Sequence, residues 1–362
     1  MSIEVIDSLV RKYEGEIVEF LRNLIKAKSY NPPGNEVEVV NVIIDKLKEV
    51  GIKYEVLEPA PNRSNLIFNV NLGSGPILLF NGHTDVVPPG DLSKWKYDPL
   101  SAVVINGKIY GRGATDMKGG LASMIMSIIL YLRSESLVKN INGRIVMVAS
   151  ADEEMNSDHG LKYLVKARRE SLIADYAIVG EPTGMSNVGK AIIIGEKGDY
   201  EVHVKIYGKK AHSSVPFLGV NAVELACNFV HNLRRLKLPK VKPPISKLDL
   251  IKQFINRRPK AMQGSPKGPL LQYLKTITET IYSVTMIRGG FKGNVIPDKC
   301  EVVIDFRVIP GHKPEDIVNA VKKLLNDLGI NKFDIEVPII FEPSVLKNGD
   351  DLVNVLKEGV KV

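Results

Sequence analysis

The chain has 362 residues, 44% hydrophobic and 25% charged, with 49 Lys+Arg against 41 Asp+Glu and a net charge of +8. That length suits about two domains with real cores, and the composition excludes a disordered or collagen-like chain. Two cysteines, Cys227 and Cys300, cannot make a disulfide framework, so a reducing compartment is expected. The first residues carry Glu4 and Asp7 rather than a cationic start to an apolar run, so no signal peptide is read. The longest apolar-rich stretch, near 121–132, is too short for a bilayer, and a cytoplasmic protein without membrane contact is expected.

Taken in chain order, helical apolar spacing predicts a helix over 5–28 and a second over 36–50, stopped by Gly51. Short β-branched runs predict strands at 54–57, 66–70 and 77–80. A small-residue helix follows at 117–132, then a strand at 144–149, a helix at 158–169 and a strand at 175–179. Strands alternating with helices imply an α/β sheet covered on both faces. From 200 the order changes to strand 201–207, helix 222–236, strands 276–288 and 301–308, helix 314–325 and strand 333–340. This β-α-β-β-α-β order is that of a ferredoxin-like sandwich, which offers a helix pair or a strand edge to a second copy. A last amphipathic helix is predicted over 350–362.

The charge is local. Eleven basic residues and one acid, Asp249, lie between Arg234 and Lys267, so this window carries 11 − 1 = +10 and the remainder 8 − 10 = −2. Interleaved Pro and Gly fit a solvated loop and helix rim. A single aromatic, Phe254, gives no stacking platform for single strands, and no nucleic-acid partner is expected.

Four acidic or imidazole sites end predicted strands or open a helix in the first domain. The strand 77–80 leads to His83, with Asp85 two residues on and able to accept the second ring N–H of a metal-bound imidazole; a plain turn histidine is the alternative. Asp116 lies between two pairs of glycines at a helix start, either as an N-cap or as a carboxylate pressed close to other backbone. Asp152, Glu153 and Glu154 follow the apolar strand 144–149, as a solvated turn or as a metal ligand beside a general base. Glu181 ends the strand 175–179 at a Gly-Glu-Pro turn. Together, one His and several carboxylates at the carboxyl ends of strands describe an oxygen-rich dinuclear zinc or cobalt site.

The runs His83-Thr84-Asp85, Gly111-Arg112-Gly113-Ala114-Thr115-Asp116-Met117-Lys118-Gly119-Gly120, Asp152-Glu153-Glu154 and Gly180-Glu181-Pro182-Thr183 resemble those of the dinuclear zinc amidohydrolases. That family includes acetylornithine deacetylase, succinyl-diaminopimelate desuccinylase, aminoacylase and glutamate carboxypeptidase. The resemblance implies a mixed-sheet α/β catalytic domain over 1–192, an inserted ferredoxin-like lid and dimerisation domain over 193–345, and a return to the catalytic domain over 346–362. It implies that Asp116 bridges two zinc ions, that His83 and Glu181 complete one site and that Glu154 binds the second ion. Glu153 becomes the general acid/base acting on a metal-bound water, Asp85 orients His83, and the peptide after Asp116 is cis. The run Gly208-Lys209-Lys210-Ala211-His212-Ser213-Ser214 resembles the lid motif, whose His reaches a partner subunit's site to stabilise an oxyanion. Asn294 and Arg307 match substrate-binding positions, Arg307 as a bidentate clamp on a carboxylate. His159, His203, His231 and His312 match no motif and read as surface or packing residues.

The implied activity is hydrolysis of amide bonds in N-acyl amino acids or short peptides by a homodimer. The pattern departs from the family in one place. A further His ligand is due after the lid together with a Gly-rich substrate turn, and no His follows His312. Two zinc ions per subunit, or one, are therefore implied, with cobalt as a substitute. A shortened intact enzyme, an enzyme with one firmly held metal, and a catalytically impaired homologue that keeps dimerisation or ligand binding all fit this departure.

Overall fold

Apolar residues at helical spacing fix α1 (Ile3–Lys26) and α2 (Glu36–Lys48) against one face of a five-stranded sheet. The computed structural model describes residues 3–139, 141–183, 192–242, 275–346 and 350–360, and the chain divides into two units, Met1–Pro182 and Thr183–Val362. In the first unit the strands are β1 (Tyr54–Leu57), β2 (Asn65–Asn71), β3 (Ile77–His83), β6 (Arg144–Ser150) and β7 (Tyr176–Val179), in spatial order β1-β2-β6-β3-β7. A separate hairpin, β4 (Val103–Ile105) and β5 (Lys108–Tyr110), precedes α3 (Lys118–Leu132) and the short α4 (Glu135–Val138). β1, β2 and β6 pair antiparallel while β6, β3 and β7 pair parallel, so the sheet is mixed, as expected.

One face of this sheet buries Leu66, Phe68 and Met147 against α1, α2 and the apolar α3. The opposite face buries Ile67, Val146 and Val148 against Leu164 of α5 (Leu161–Ala167). Burial on both faces explains why the strands read as continuous apolar runs rather than alternating ones.

The second unit is built on β9 (Gly198–Tyr207), α6 (Ala222–Asn232), β11 (Ile281–Gly289), β13 (Lys299–Val308), α7 (Pro314–Asp327) and β14 (Phe333–Phe341). Its antiparallel sheet runs β11-β13-β9-β14, the ferredoxin-like order, with α6 and α7 closing a core around Tyr200, Phe229, Phe306 and Val321. Small ladders join β8 (Gly195–Glu196) to β15 (Ser344–Val345) and β10 (Ala211–His212) to β12 (Val295–Ile296). A terminal helix, α8, spans Asp350–Val360.

Two elements differ from expectation. The helix expected over 158–169 is only Leu161–Ala167, because the amides of Ser157 and His159 are taken by the backbone oxygen and carboxylate of Asp152. The strand expected from 276 begins at Ile281. Residues 275–278 are helical, and Thr280 turns aside to bond His312 Nδ1 (2.8 Å) and to accept the amide of Ile309. Most of the basic window, 243–267, lies outside the described residues. Among the described residues, no helix is long and apolar enough to cross a membrane.

Candidate metal centre and active site

Parallel register brings three strand ends together. His83 is opposite Ser150, and Asn81 is opposite Val179, so β3, β6 and β7 finish on the same edge. The pairing continues past the strands, with Thr84 N donating to Ser150 O and Gly180 N to Asn81 O. His83, the 152–154 acids and Glu181 thus leave the sheet side by side.

Asp116 arrives from the loop before α3, whose close approach depends on small residues. A Cβ on Gly120 would sit 2.1 Å from the Gly180 carbonyl oxygen, and one on Gly82 or Gly180 would enter the methyl groups of Met117 and Met124. The peptide Asp116–Met117 is cis, as the resemblance implied. Lys118, fully buried, donates from Nζ to the carbonyls of Leu24 and Ala27 (2.8 Å each) and ties the end of α1 to the start of α3.

The side chains converge on one imidazole nitrogen. His83 Nε2 lies 3.2 Å from Asp116 Oδ1, 3.3 Å from Glu181 Oε1 and 3.8 Å from Glu153 Oε2. Among the described residues, two groups have ligand atoms all within 4.8 Å of one another, His83–Glu153–Glu181 and His83–Asp116–Glu154. The residue common to both is His83, where the resemblance has Asp116 shared. Burial opposes a charge on His83, but hydrogen bonds and charges from Asp85 and Glu181 outweigh it and push its pKa up to about 11. One imidazole among four carboxylates is a hard, oxygen-rich donor set that fits a divalent cation. Glu153, half exposed, and Glu154 have raised pKa values, first from partial desolvation and then from neighbouring carboxylates, opposed by His83.

Asp85 does more than face His83. The His83 Nδ1 contact at hydrogen-bond distance is the Asp85 backbone oxygen (2.9 Å), with the carboxylate at 3.6 Å. That carboxylate, fully buried, accepts from the amides of Glu153 and Glu154 (3.1 Å each) and from Asn31 Nδ2 (2.8 Å). Its pKa is lowered because these donors and His83 outweigh desolvation. Asn31, Glu36 and Arg63, also buried, belong to the same polar cluster and were not singled out from the sequence. All three lie in polar, turn-rich stretches of the sequence, where nothing marks them for burial.

The second unit holds the other expected residues. His212 and Asn294 are brought together, because β10 pairs with β12 and Ser213 N donates to Asn294 O (3.1 Å). His212 Nδ1 accepts the Ser214 amide, which leaves the neutral ring's proton on Nε2 as a donor. Arg307 lies near the far end of β13 from β12. Its guanidinium is engaged by Asp305 through two bonds of 2.9 Å and by Asp199 at 3.1 Å. Its fork is therefore already matched to carboxylates of its own sheet. His312 is a packing residue, with both ring nitrogens bonded, to Thr280 and to Pro239 O.

A mixed-sheet unit that gathers one imidazole and four carboxylates at its strand ends, followed in the chain by a ferredoxin-like unit, has the organisation of two-domain metal-dependent peptidases. Residues 194–332 match the family model described as a peptidase dimerisation domain. A probable succinyl-diaminopimelate desuccinylase of Staphylococcus aureus is 30% identical over 348 residues, 95% of this chain and 80% of that protein. A succinyl-diaminopimelate desuccinylase of Coxiella burnetii is 29% identical, over 92% of this chain and 79% of its own. Among solved structures, an M20 family metallo-carboxypeptidase from Sulfolobus solfataricus superposes with a TM-score of 0.64 at 22% identity, covering 94% of this chain and 79% of that one. The aminopeptidase PepT from Bacillus cereus gives 0.65 at 22% identity, over 95% and 81%. The chain belongs to the M20 family of metallopeptidases and amidohydrolases.

Proposed function

We propose that the protein hydrolyses linear amide bonds in N-acyl amino acids or short peptides, with His83, Asp116, Glu154 and Glu181 as metal ligands and Glu153 as general acid/base. The observation that carries this reading is the convergence of Asp116, Glu181 and Glu153 on His83 Nε2 within 3.2–3.8 Å. A divalent ion held there, zinc or in its place cobalt, supplies a Lewis acid that polarises the amide carbonyl and lowers the pKa of water. Glu153 takes the proton of the attacking water and returns it to the leaving amine nitrogen. Partial desolvation and the carboxylates of Glu181, Glu154 and Asp85 raise its pKa although half the side chain is exposed, which makes it a stronger base. Asp85 holds the Glu153 amide and the His83 ring in fixed relation.

In this reading residues 193–345 form the lid, and His212 of a second copy donates from Nε2 to the developing oxyanion. Asn294, held beside His212, and Arg307 contact the substrate, the arginine by exchanging a carboxylate of its own sheet for one of the substrate. The homodimer forms through the edge strand β11, whose Val284, Met286 and Ile287 are exposed. The names of the two desuccinylases favour acyl-amino acids with an acidic acyl group.

The test is amine release from N-succinyl and N-acetyl amino acids and dipeptides by zinc- or cobalt-loaded protein. Turnover that a chelator abolishes, and that Glu153→Gln lowers by about 10²–10⁴-fold, supports the proposal. Dimers that bind metal but hydrolyse nothing in the panel favour the alternative, a homologue that keeps ligand binding without catalysis.

A further inference from the structure

Beneath the ligand carboxylates lies a buried polar cluster that the proposed chemistry does not use. Arg63 Nη2 donates to Asp152 Oδ1 and forms an ion pair with Glu36 Oε1 (2.9 Å), while Nη1 donates to Pro33 O (2.7 Å) and Asn31 Oδ1 (3.3 Å). Asn31 Nδ2 in turn donates to both Asp152 Oδ1 (3.0 Å) and Asp85 Oδ2 (2.8 Å). Glu36 Oε1 also accepts the amide of Asp152 (3.2 Å), so the backbone and the side chain of Asp152 are both held. Arg63 and Asp152 are 7% and 4% exposed and Glu36 is fully buried, so none of these partners is replaced by bulk water.

This investment falls on a residue with an unusual backbone. Asp152 has φ +65°, in the left-handed region that a non-glycine residue adopts only when its surroundings hold it there. The next two residues are Glu153 and Glu154, whose amides dock on the Asp85 carboxylate. If Asp152 relaxed to an ordinary conformation, the chain direction at 153 would change and both glutamates would leave His83.

We propose that Arg63 is a positioning residue. Through Asp152 and Asn31 it sets the path of residues 152–154, and thereby the placement of the Glu153 and Glu154 carboxylates. The part concerning metal affinity rests on the ligand assignment above; the part concerning the backbone does not. A planar fork is needed because two nitrogens serve partners in different directions. Nη2 serves Glu36 and Asp152, Nη1 serves Asn31 and Pro33, and the single ammonium of a lysine cannot span them.

The experiment compares wild-type protein with Arg63→Lys, which keeps the charge, and Asn31→Ala, which removes the bridge between Asp152 and Asp85 together with one acceptor of Arg63. Two readouts are taken on each: amide hydrogen exchange and cobalt titration followed by absorption. The expected result is exchange at the Glu153 and Glu154 amides faster by about tenfold or more, with protection in α3 and β2 unchanged. Cobalt affinity falls by about 10–100-fold, with an altered cobalt spectrum. Unchanged exchange at 153–154 in both variants overturns the proposal, as does a uniform loss of protection across the first unit, which marks a merely structural role. Faster local exchange in the variants together with no cobalt binding by the wild type leaves the positioning role standing and refutes the ligand assignment instead.

Discussion

Gly120→Ala sets two physical effects against each other in a single methyl group. Gly120 lies in the first turn of α3, and alanine there is favoured by helix propensity by about 1 kcal/mol. The packing term has the opposite sign. The added Cβ would lie 2.1 Å from the carbonyl oxygen of Gly180, and because both atoms belong to backbone no rotamer change relieves the contact. Restoring ordinary non-bonded separation requires α3 and the end of β7 to part by about 1 Å. Overpacking of this kind costs about 1–3 kcal/mol, which cancels or exceeds the propensity gain. The displacement also separates Asp116, just before α3, from Glu181, just after Gly180, by several times the roughly 0.2 Å tolerance of a metal site. The expected outcome is a variant destabilised by up to about 2 kcal/mol whose cobalt or zinc affinity falls at least about tenfold. Thermal melting and calorimetric metal titration measure both. Gly15→Ala is the control, since nothing lies within 4 Å of a Cβ at this position in α1 and it should gain about 1 kcal/mol. A Gly120→Ala protein as stabilised as Gly15→Ala, with unchanged metal affinity, would refute the close approach of α3 to β7 as the device that assembles the ligands.

Two further outcomes follow from charge and from the exposed edge. Burial raises the pKa of Glu36 to about 7 from 4.5 in spite of Arg63, so the folded state holds its proton more tightly than the unfolded chain. Its contribution to stability is therefore present below pH 4.5 and lost as pH rises toward 7, with a limiting slope of about 1.4 kcal/mol per pH unit. Urea unfolding at pH 5 and pH 7 should show a smaller loss over this interval in Glu36→Gln than in wild type. At β11, Ile287 is 48% exposed on an edge strand, and Ile287→Lys should convert the proposed dimer to monomer in light scattering while leaving the melting of the first unit unchanged.

What was legible in the sequence was the set of strand ends. His83, the 152–154 acids and Glu181 each follow an apolar run long enough to read as a buried strand, and parallel pairing of those runs does the rest. The hairpin β4–β5 was missed although its turn, Asn106-Gly107, carries the dipeptide that favours two positive-φ residues, both of which are observed. The shortening of the helix after residue 158 was not legible, because it depends on which amides the Asp152 carboxylate reaches. The Glu36–Arg63–Asp152 cluster was hidden for the same reason. Its members lie 27 and 89 residues apart, and pairing across such separations leaves no periodicity or local motif. Arg307 carries the opposite lesson. Its sequence match marks a substrate clamp, while the pairing of β13 with β9 shows the Asp199 and Asp305 carboxylates that a substrate would have to displace.

The most direct measurement is calorimetric titration of metal-free protein with zinc, carried out on the wild type and on His83→Ala. His83 is the one residue common to both groups of candidate ligands, so its removal touches every site they form. At least one tight site per chain is predicted in the wild type, with its loss in His83→Ala at unchanged melting temperature. A wild-type chain that binds no zinc, or a His83→Ala chain that binds it equally well, would contradict the metal centre and the hydrolysis built on it.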